Sequence, residues 1–228
     1  MPYTIALDPD VPVTADQSCY VVHMNDAYII NVTVTSDGGR ILEWLDRFIA
    51  PYRGEIVSVH GEPRPFNCGL ASRCLQPNIS ALFVAVGHRV LVLPVRRNQD
   101  LPALFVIDLF FNERLYFVGM HIDRLCDWLG KRVLFIKRFK DLRAFVMENT
   151  NYREDLSTPS LRKLVHKVTG VILNPSVSRR FCPCRWWMKN LSPELVMYGS
   201  IRAHMAFRVA QTALQTARLQ RLQPAVAG

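Results

Sequence analysis

No apolar run in this 228-residue chain reaches the roughly 18 residues that a membrane span requires. No basic segment followed by an apolar core opens the sequence, so a secretory signal is not expected in MPYTIALDPDVPVTADQ. No G-x-G-x-x-G and no P-loop is present, which removes the usual sequence support for a nucleotide cofactor. Internal repeats and low-complexity segments are missing too. The six cysteines are scattered, and Cys182-Pro-Cys184 lacks the C-x₂-C spacing of a zinc knuckle. The expectation is an intracellular chain with free thiols, in the nucleus or cytoplasm and with no membrane partner.

What is present is ordinary globular composition, half apolar, with an uneven charge. The formal net charge is +9. Residues 1–100 hold eight Lys/Arg against ten Asp/Glu, whereas residues 101–228 hold 20 against nine. The second half is therefore strongly basic, and such a face attracts polyphosphates through its field and through counterion release. Nucleic acid is the partner this implies; a merely solvated surface is the plainer alternative.

Periodicity outlines an α/β chain. Residues 1–18, with Pro2, Pro9 and Pro12, read as a flexible arm. CYVVHMNDAYIINVTVT reads as a hairpin turning at Asn25-Asp26. In RILEWLDRFIA the apolar residues Ile41, Leu42, Leu45, Phe48 and Ile49 recur at helical spacing. Residues 55–59 form a strand that runs into HGEPRP. SALFVAV and HRVLVLPV are two strands joined at Gly87-His88. A helix begins at Asp100, LYFVG is a buried strand, and HIDRLCDWL is a helix with Ile122, Leu125, Cys126 and Leu129 on one side. After residues 133–136 the chain is expected to turn helical through FKDLRAFVMEN. The next helix takes Thr158 as N-cap, Pro159 at its first position and Gly170 as C-cap. Ser192 and Pro193 open a long last helix, and residues 219–228 are expected to fray. The pattern predicts one domain, residues 19–218, with a mixed sheet and flanking helices.

Four segments in this order carry a resemblance: VTVTSDGGRILEWLDRF with IVSVHGEPRP, SALFVAVGHRVLVLPV, YFVGMHIDRLCDWL, and SLRKLVHKVTGV through WWMKNLSPELVMYGSIRAH. They resemble the DEDD-type 3′–5′ exonuclease domain of the ribonuclease H-like superfamily, within it the plant proteins similar to the Werner syndrome exonuclease. The match covers roughly residues 30–215. It implies a ribonuclease H-like mixed β-sheet flanked by α-helices. It also implies four carboxylates holding two Mg²⁺ or Mn²⁺ ions for phosphodiester cleavage.

Carried across residue by residue, the family's first-strand Asp-x-Glu falls on His60 and Glu62. Its second-motif aspartate falls on Leu125, counted from Ile122. Its last motif, Tyr-x-x-x-Asp, falls on Tyr198 and Arg202. Glu62 and Tyr198 are retained; three metal-binding carboxylates have become His, Leu and Arg. A full site carries a charge of about −4 to match two dications. Here Arg202 cancels Glu62, and an arginine among the ligands repels a metal and pairs with Glu62 instead. Asp123 and Asp127 flank Leu125, each about 200° away around a helix, and are expected to face elsewhere.

A family lysine falls on Lys163, and with Arg162, Lys167, Arg185 and Trp187 it forms the candidate nucleic-acid surface, Trp187 by stacking on bases. Trp186 matches a family tryptophan that packs in the fold. His60, His121 and His204 fall near the degenerate site and raise a three-imidazole metal site as a remote alternative.

The expectation is a 3′–5′ exonuclease-like protein, catalytically impaired or inactive, that binds a single strand or a 3′ end of DNA or RNA. No cofactor is then required; Mg²⁺ or Mn²⁺ bound at Glu62 is expected only where activity survives. Two alternatives stand beside it. One is an active exonuclease with an altered site built on Glu62 and a histidine or displaced acid. The other is an interaction protein that pairs with an active paralogue.

Overall fold

The structure is a computed structural model that describes residues 3–24, 28–63, 79–95, 109–130, 136–150, 160–173 and 191–222. One sheet organises it. Its strands are β1 (Thr4–Leu7), β2 (Gln17–Met24), β3 (Tyr28–Thr35), β4 (Ile56–Pro63), β5 (Ile79–Val86), β6 (Arg89–Pro94), β7 (Tyr116–Gly119) and β8 (Phe139–Asp141). They lie in the order β1-β2-β3-β6-β5-β4-β7-β8. The pairs β1–β2, β2–β3, β6–β5 and β5–β4 are antiparallel; β3–β6, β4–β7 and β7–β8 are parallel. The sheet is mixed, as the alternation of strands and helices predicts.

The helices are α1 (Gly38–Phe48), α2 (Ile122–Gly130), α3 (Leu142–Asn149), α4 (Leu161–Thr169) and α5 (Pro193–Leu222). Caps explain their starts. The Asp37 carboxylate accepts the Arg40 N–H at 2.9 Å, and the Asp141 carboxylate accepts the Arg143 N–H at 3.0 Å. Each satisfies a donor that the first helical turn leaves unpaired. No helix among the described residues is long and apolar enough to cross a membrane.

Two apolar layers cover the two faces of the sheet. On one face α3, α4 and α5 pack over Phe83, Val92 and Val118 through Phe145, Leu164 and Phe207. On the other, α1 and α2 pack over Val59, Leu91 and Phe117 through Trp44, Ile122 and Leu125. Each fully buried phenylalanine, such as Phe83, Phe117 or Phe207, stabilises the fold by roughly 1.5–3 kcal/mol. The long helix α5, about 45 Å from end to end at 1.5 Å per residue, runs across the middle strands. It comes so close to β5 that a Cβ on Gly199 would lie 2.1 Å from the Phe83 ring.

The structure corrects the sequence-based expectations at several places. Residues 1–18 are not simply an arm: Thr4–Leu7 adds an edge strand to β2, and β2 itself begins at Gln17. The helix expected from Phe139 starts three residues later, because Phe139–Asp141 pairs in parallel with β7 and Asp141 then caps α3. The N-cap of α4 is Ser160, not Thr158; its hydroxyl accepts the Lys163 N–H. Helix α5 runs to Leu222, where the helical run of the sequence ends, so residues 219–222 are helical and not part of the tail expected to fray from 219. The helix begun by Asp100, apart from its last residues, the Asn25-Asp26 turn, and Thr158 lie outside the described residues.

Candidate functional site

Strand parity and helix periodicity build the candidate site. Val57 and Val59 of β4 belong to the layer under α1 and α2, so residues 60 and 62 project to the opposite face, toward α5. On α5, Tyr198 and Arg202 stand one turn apart and share a side. The four side chains meet. His60 Nε2 lies 2.6 Å from Glu62 Oε1. The Arg202 guanidinium lies 3.5 Å from the same oxygen and donates a 2.6 Å hydrogen bond to the Tyr198 hydroxyl.

Burial sets the electrostatics. Glu62 is 7% exposed. Burial pushes the His60 imidazole below its ordinary value, and Arg202 adds to the effect, with Glu62 opposing both. Burial alone would raise the Glu62 carboxyl, but His60 and Arg202 hold it low. A charged His60 would deepen the Glu62 shift, yet the burial of the ring disfavours that charge. His60 is therefore neutral near pH 7 and donates its Nε2–H to an ionised Glu62. Arg202 supplies the balancing charge.

Leu125 does not join this cluster. Its methyl Cδ1 would lie 3.3 Å from a Cβ built on Gly61, which points to the far face of β4, and it is buried in the layer under α1 and α2. Asp123 and Asp127, on the other side of α2, are exposed. Burial, followed by the charges of Asp123 and Asp127, pushes the Cys126 thiol up to about 12, so it is inert at neutral pH. Arg162 and Lys163 are exposed on α4 and Lys167 is half-buried. Arg185, Trp186, Trp187, Cys182 and Cys184 lie outside the described residues.

The three histidines are dispersed. His204 Nδ1 donates to the Gly87 carbonyl at 3.0 Å, at the opposite end of β5 from Ala81, which pairs with Glu62. His121 has φ 55°, an uncommon backbone state for a residue with a side chain. Its N–H donates to Asp141 Oδ2 at 2.8 Å. Arg143 grips the same carboxylate at 2.7 and 3.0 Å. Sequence reasoning does not find this Asp141–Arg143–His121 cluster; only the position of Asp141 ahead of an apolar run hints at a cap.

The resemblance implies two divalent metals, and the donors present do not fit them. Glu62 is one carboxylate, already engaged by an imidazole and a guanidinium. No group of three His, Cys, Asp or Glu that could hold a metal ion occurs among the described residues. No catalytic step is derived through a metal.

No protein-family model matches the sequence, and no curated protein is significantly similar to it. Solved structures are similar. Escherichia coli RNase D, an exoribonuclease involved in structured RNA processing, superposes with a TM-score of 0.64 at 11% identity, over 86% of this chain and 47% of that one. The fold is the ribonuclease H-like fold of 3′–5′ exonuclease domains. The Aedes aegypti Nibbler EXO domain gives 0.60 at 16% identity, over 83% of this chain and 89% of that domain. Brucella melitensis NrnC, solved with bound Mg²⁺, gives 0.54 at 13% identity, over 77% and 80%; it has also been solved bound to pGG. The chain thus spans about half the length of RNase D but most of an isolated exonuclease domain. In the exonuclease-like fold, the Glu62 cluster sits at the far end of β4, between that strand and the long C-terminal helix.

Proposed function

We propose that this chain is a 3′–5′ exonuclease-like domain, of the plant Werner-like group, that binds nucleic acid through its basic second half and has lost two-metal cleavage. The observation that carries this is the Arg202 guanidinium, 3.5 Å from Glu62 and hydrogen-bonded to Tyr198. It occupies the space beside the one retained carboxylate, and its fixed charge opposes a dication there. The basic residues 101–228 and the nucleotide-bound state of NrnC support the partner. The decisive experiment incubates purified protein with end-labelled single-stranded and recessed 3′ DNA and RNA in Mg²⁺ or Mn²⁺. Retardation of the oligonucleotides without shortening is expected. A ladder of shortened products that disappears in Glu62→Ala overturns the reading.

One observation favours a second reading, an active exonuclease with an altered site. Leu125 belongs to the apolar layer on the far face of β4, so its identity says nothing about ligands beside Glu62. Asp123 is exposed in the first turn of α2, which follows the strand parallel to β4. Cleavage lost in both Glu62→Ala and Asp123→Ala would establish this alternative.

A further inference from the structure

The opposite end of the sheet carries a second charged cluster, assembled from elements far apart in sequence. Arg47 closes the exposed side of α1 beside Phe48. Arg89 begins β6 just after the tight turn at Gly87, whose φ of 58° makes that reversal. Both guanidinium carbons sit against the Phe48 ring, at 5.3 Å for Arg47 and 4.1 Å for Arg89. His88 is exposed at the tip of the turn. On the other face, Arg208 of α5 lies 5.6 Å over the Tyr28 ring, one turn beyond His204, which is bonded to Gly87.

No carboxylate neutralises this group: Arg47, Arg89 and Arg208 make no ion pair among the described residues. The acids nearby are spent or averted. Glu43 pairs with Arg40, Glu55 with Arg218, and Asp37 caps α1. Asp46 adjoins Arg47, but successive helical residues point about 100° apart. The cations act on one another instead. Burial and Arg47 lower Arg89, partial burial and Arg89 lower His88, and burial, Arg208 and His88 lower His204. Two buried polar atoms here, Arg208 Nε and His204 Nε2, have no hydrogen-bond partner among the described residues. Like charges held together without an acid store repulsion that an anion relieves.

We propose that Arg47 and Arg89, mounted on Phe48, together with the neighbouring His88, form a second nucleic-acid contact that holds the phosphodiester backbone of a single strand. Guanidinium forks match phosphate oxygens in pairs, and an aromatic platform restrains them before the ligand arrives. Arg208 adds a further cation on the other face of the sheet, over Tyr28, and positive charge on both faces of one sheet end fits a polyanion better than a free ion. This site goes beyond the basic second half: Arg47, His88 and Arg89 lie in the half whose net charge is negative.

The test is fluorescence anisotropy with labelled oligouridylate and oligothymidylate across a salt series, with anionic phospholipid vesicles and inorganic phosphate as separate probes. For Arg47→Ala/Arg89→Ala, oligonucleotide affinity is expected to fall roughly tenfold or more. The log–log salt slope should become shallower by about 1.4, or 0.7 for each phosphate that is no longer neutralised. Arg47→Lys/Arg89→Lys should keep most of the slope, and Arg47→Ala alone, a change at an exposed position, should show a partial loss with an unchanged melting temperature. Unchanged affinity and slope in every variant overturn the site, as does a loss confined to vesicles or to free phosphate. Where Lys163→Ala/Lys167→Ala weakens binding but the arginine variants do not, this site fails and the wider nucleic-acid reading stands. A wild-type protein that binds no oligonucleotide overturns both.

Discussion

The two ends of the central sheet solve the problem of buried charge in opposite ways. At the Glu62 end, a carboxylate, a guanidinium, a phenol and an imidazole satisfy one another within hydrogen-bonding distance. At the Gly87 end, arginines and histidines gather with aromatic rings and without an ion-paired acid among the described residues. Both ends hold a histidine that burial pushes below its ordinary value, yet the neighbours differ. Glu62 pulls His60 back toward its ordinary value, while Arg208 and His88 both push His204 further away. At the first end the charges of Glu62 and Arg202 offset one another. The second is charged and open to an anion. On the proposed reading, the second end would meet the backbone of a nucleic acid and the first would no longer cleave it.

The same helix, α5, supplies both ends, so the comparison breaks most severely at the contact that seats it. Gly199 has no room for a side chain against Phe83. Gly199→Val is expected to destabilise the protein by about 3 kcal/mol through overpacking and to disturb both clusters together. Urea unfolding at neutral pH measures it; a midpoint like that of the unaltered protein would show that α5 does not depend on this close approach.

The next effect separates the ends by pH. His204 has a folded pKa of about 4 against an ordinary 6.5, because of burial first and then Arg208. A depressed folded pKa means that the unfolded chain takes up the proton first. The stability is therefore present above pH 6.5 and is lost as pH falls from there toward 4. The loss is on the order of 3 kcal/mol. His204→Gln should flatten this part of the stability curve. His60→Gln should flatten it less, since Glu62 opposes the His60 shift. Glu62, also depressed, adds a loss of the same sign below pH 4.5. Urea midpoints at several pH values decide; equal flattening by the two substitutions would erase the difference between the ends.

How much of this could be read from sequence depends on how local the signal is. The hairpin, α1, β5–β6 and α5 were legible because long periodic runs with caps and turns specify them. The strand Thr4–Leu7 was not: four residues between prolines carry little alternation, and only pairing with β2 makes them a strand. Phe139–Asp141 is three residues long and has no usable period. At the site, His60 with Glu62 and Tyr198 with Arg202 were singled out by the resemblance, through motifs whose spacing puts each pair on one side of its strand or helix. Leu125 was legible as part of the apolar side of α2, but not as standing across β4 from Glu62, because nothing local fixes which face of the sheet a helix covers. The Gly87 cluster was hidden differently. Charge counted over halves of a chain averages away two arginines that sit on separate elements in the acidic half.

Removing a charge at each end gives the smaller effects. Glu62→Gln leaves Arg202 beside a neutral amide. Breaking a buried pair is costly, but the Arg202 side chain is 32% exposed, so solvent recovers part of the cost and about 1.5 kcal/mol is expected, read from urea midpoints at neutral pH.

Arg208→Gln is the mirror experiment and should cost least. The arginine has no carboxylate to lose; its hydrogen bond to Gln211 is one neutral acceptor at 3.2 Å, and its Nε is buried without a partner among the described residues. Its removal also takes away a charge that pushes His204 down. The lost stacking on Tyr28, worth about 0.5–1 kcal/mol, is thus offset by relieved repulsion and by the release of an unsatisfied donor. A net change within about 0.5 kcal/mol is expected, with a His204 titration moved upward, which NMR of the imidazole would follow. A destabilisation as large as that of Glu62→Gln would mean that Arg208 is held by a compensating charge after all, and the two ends would then be alike.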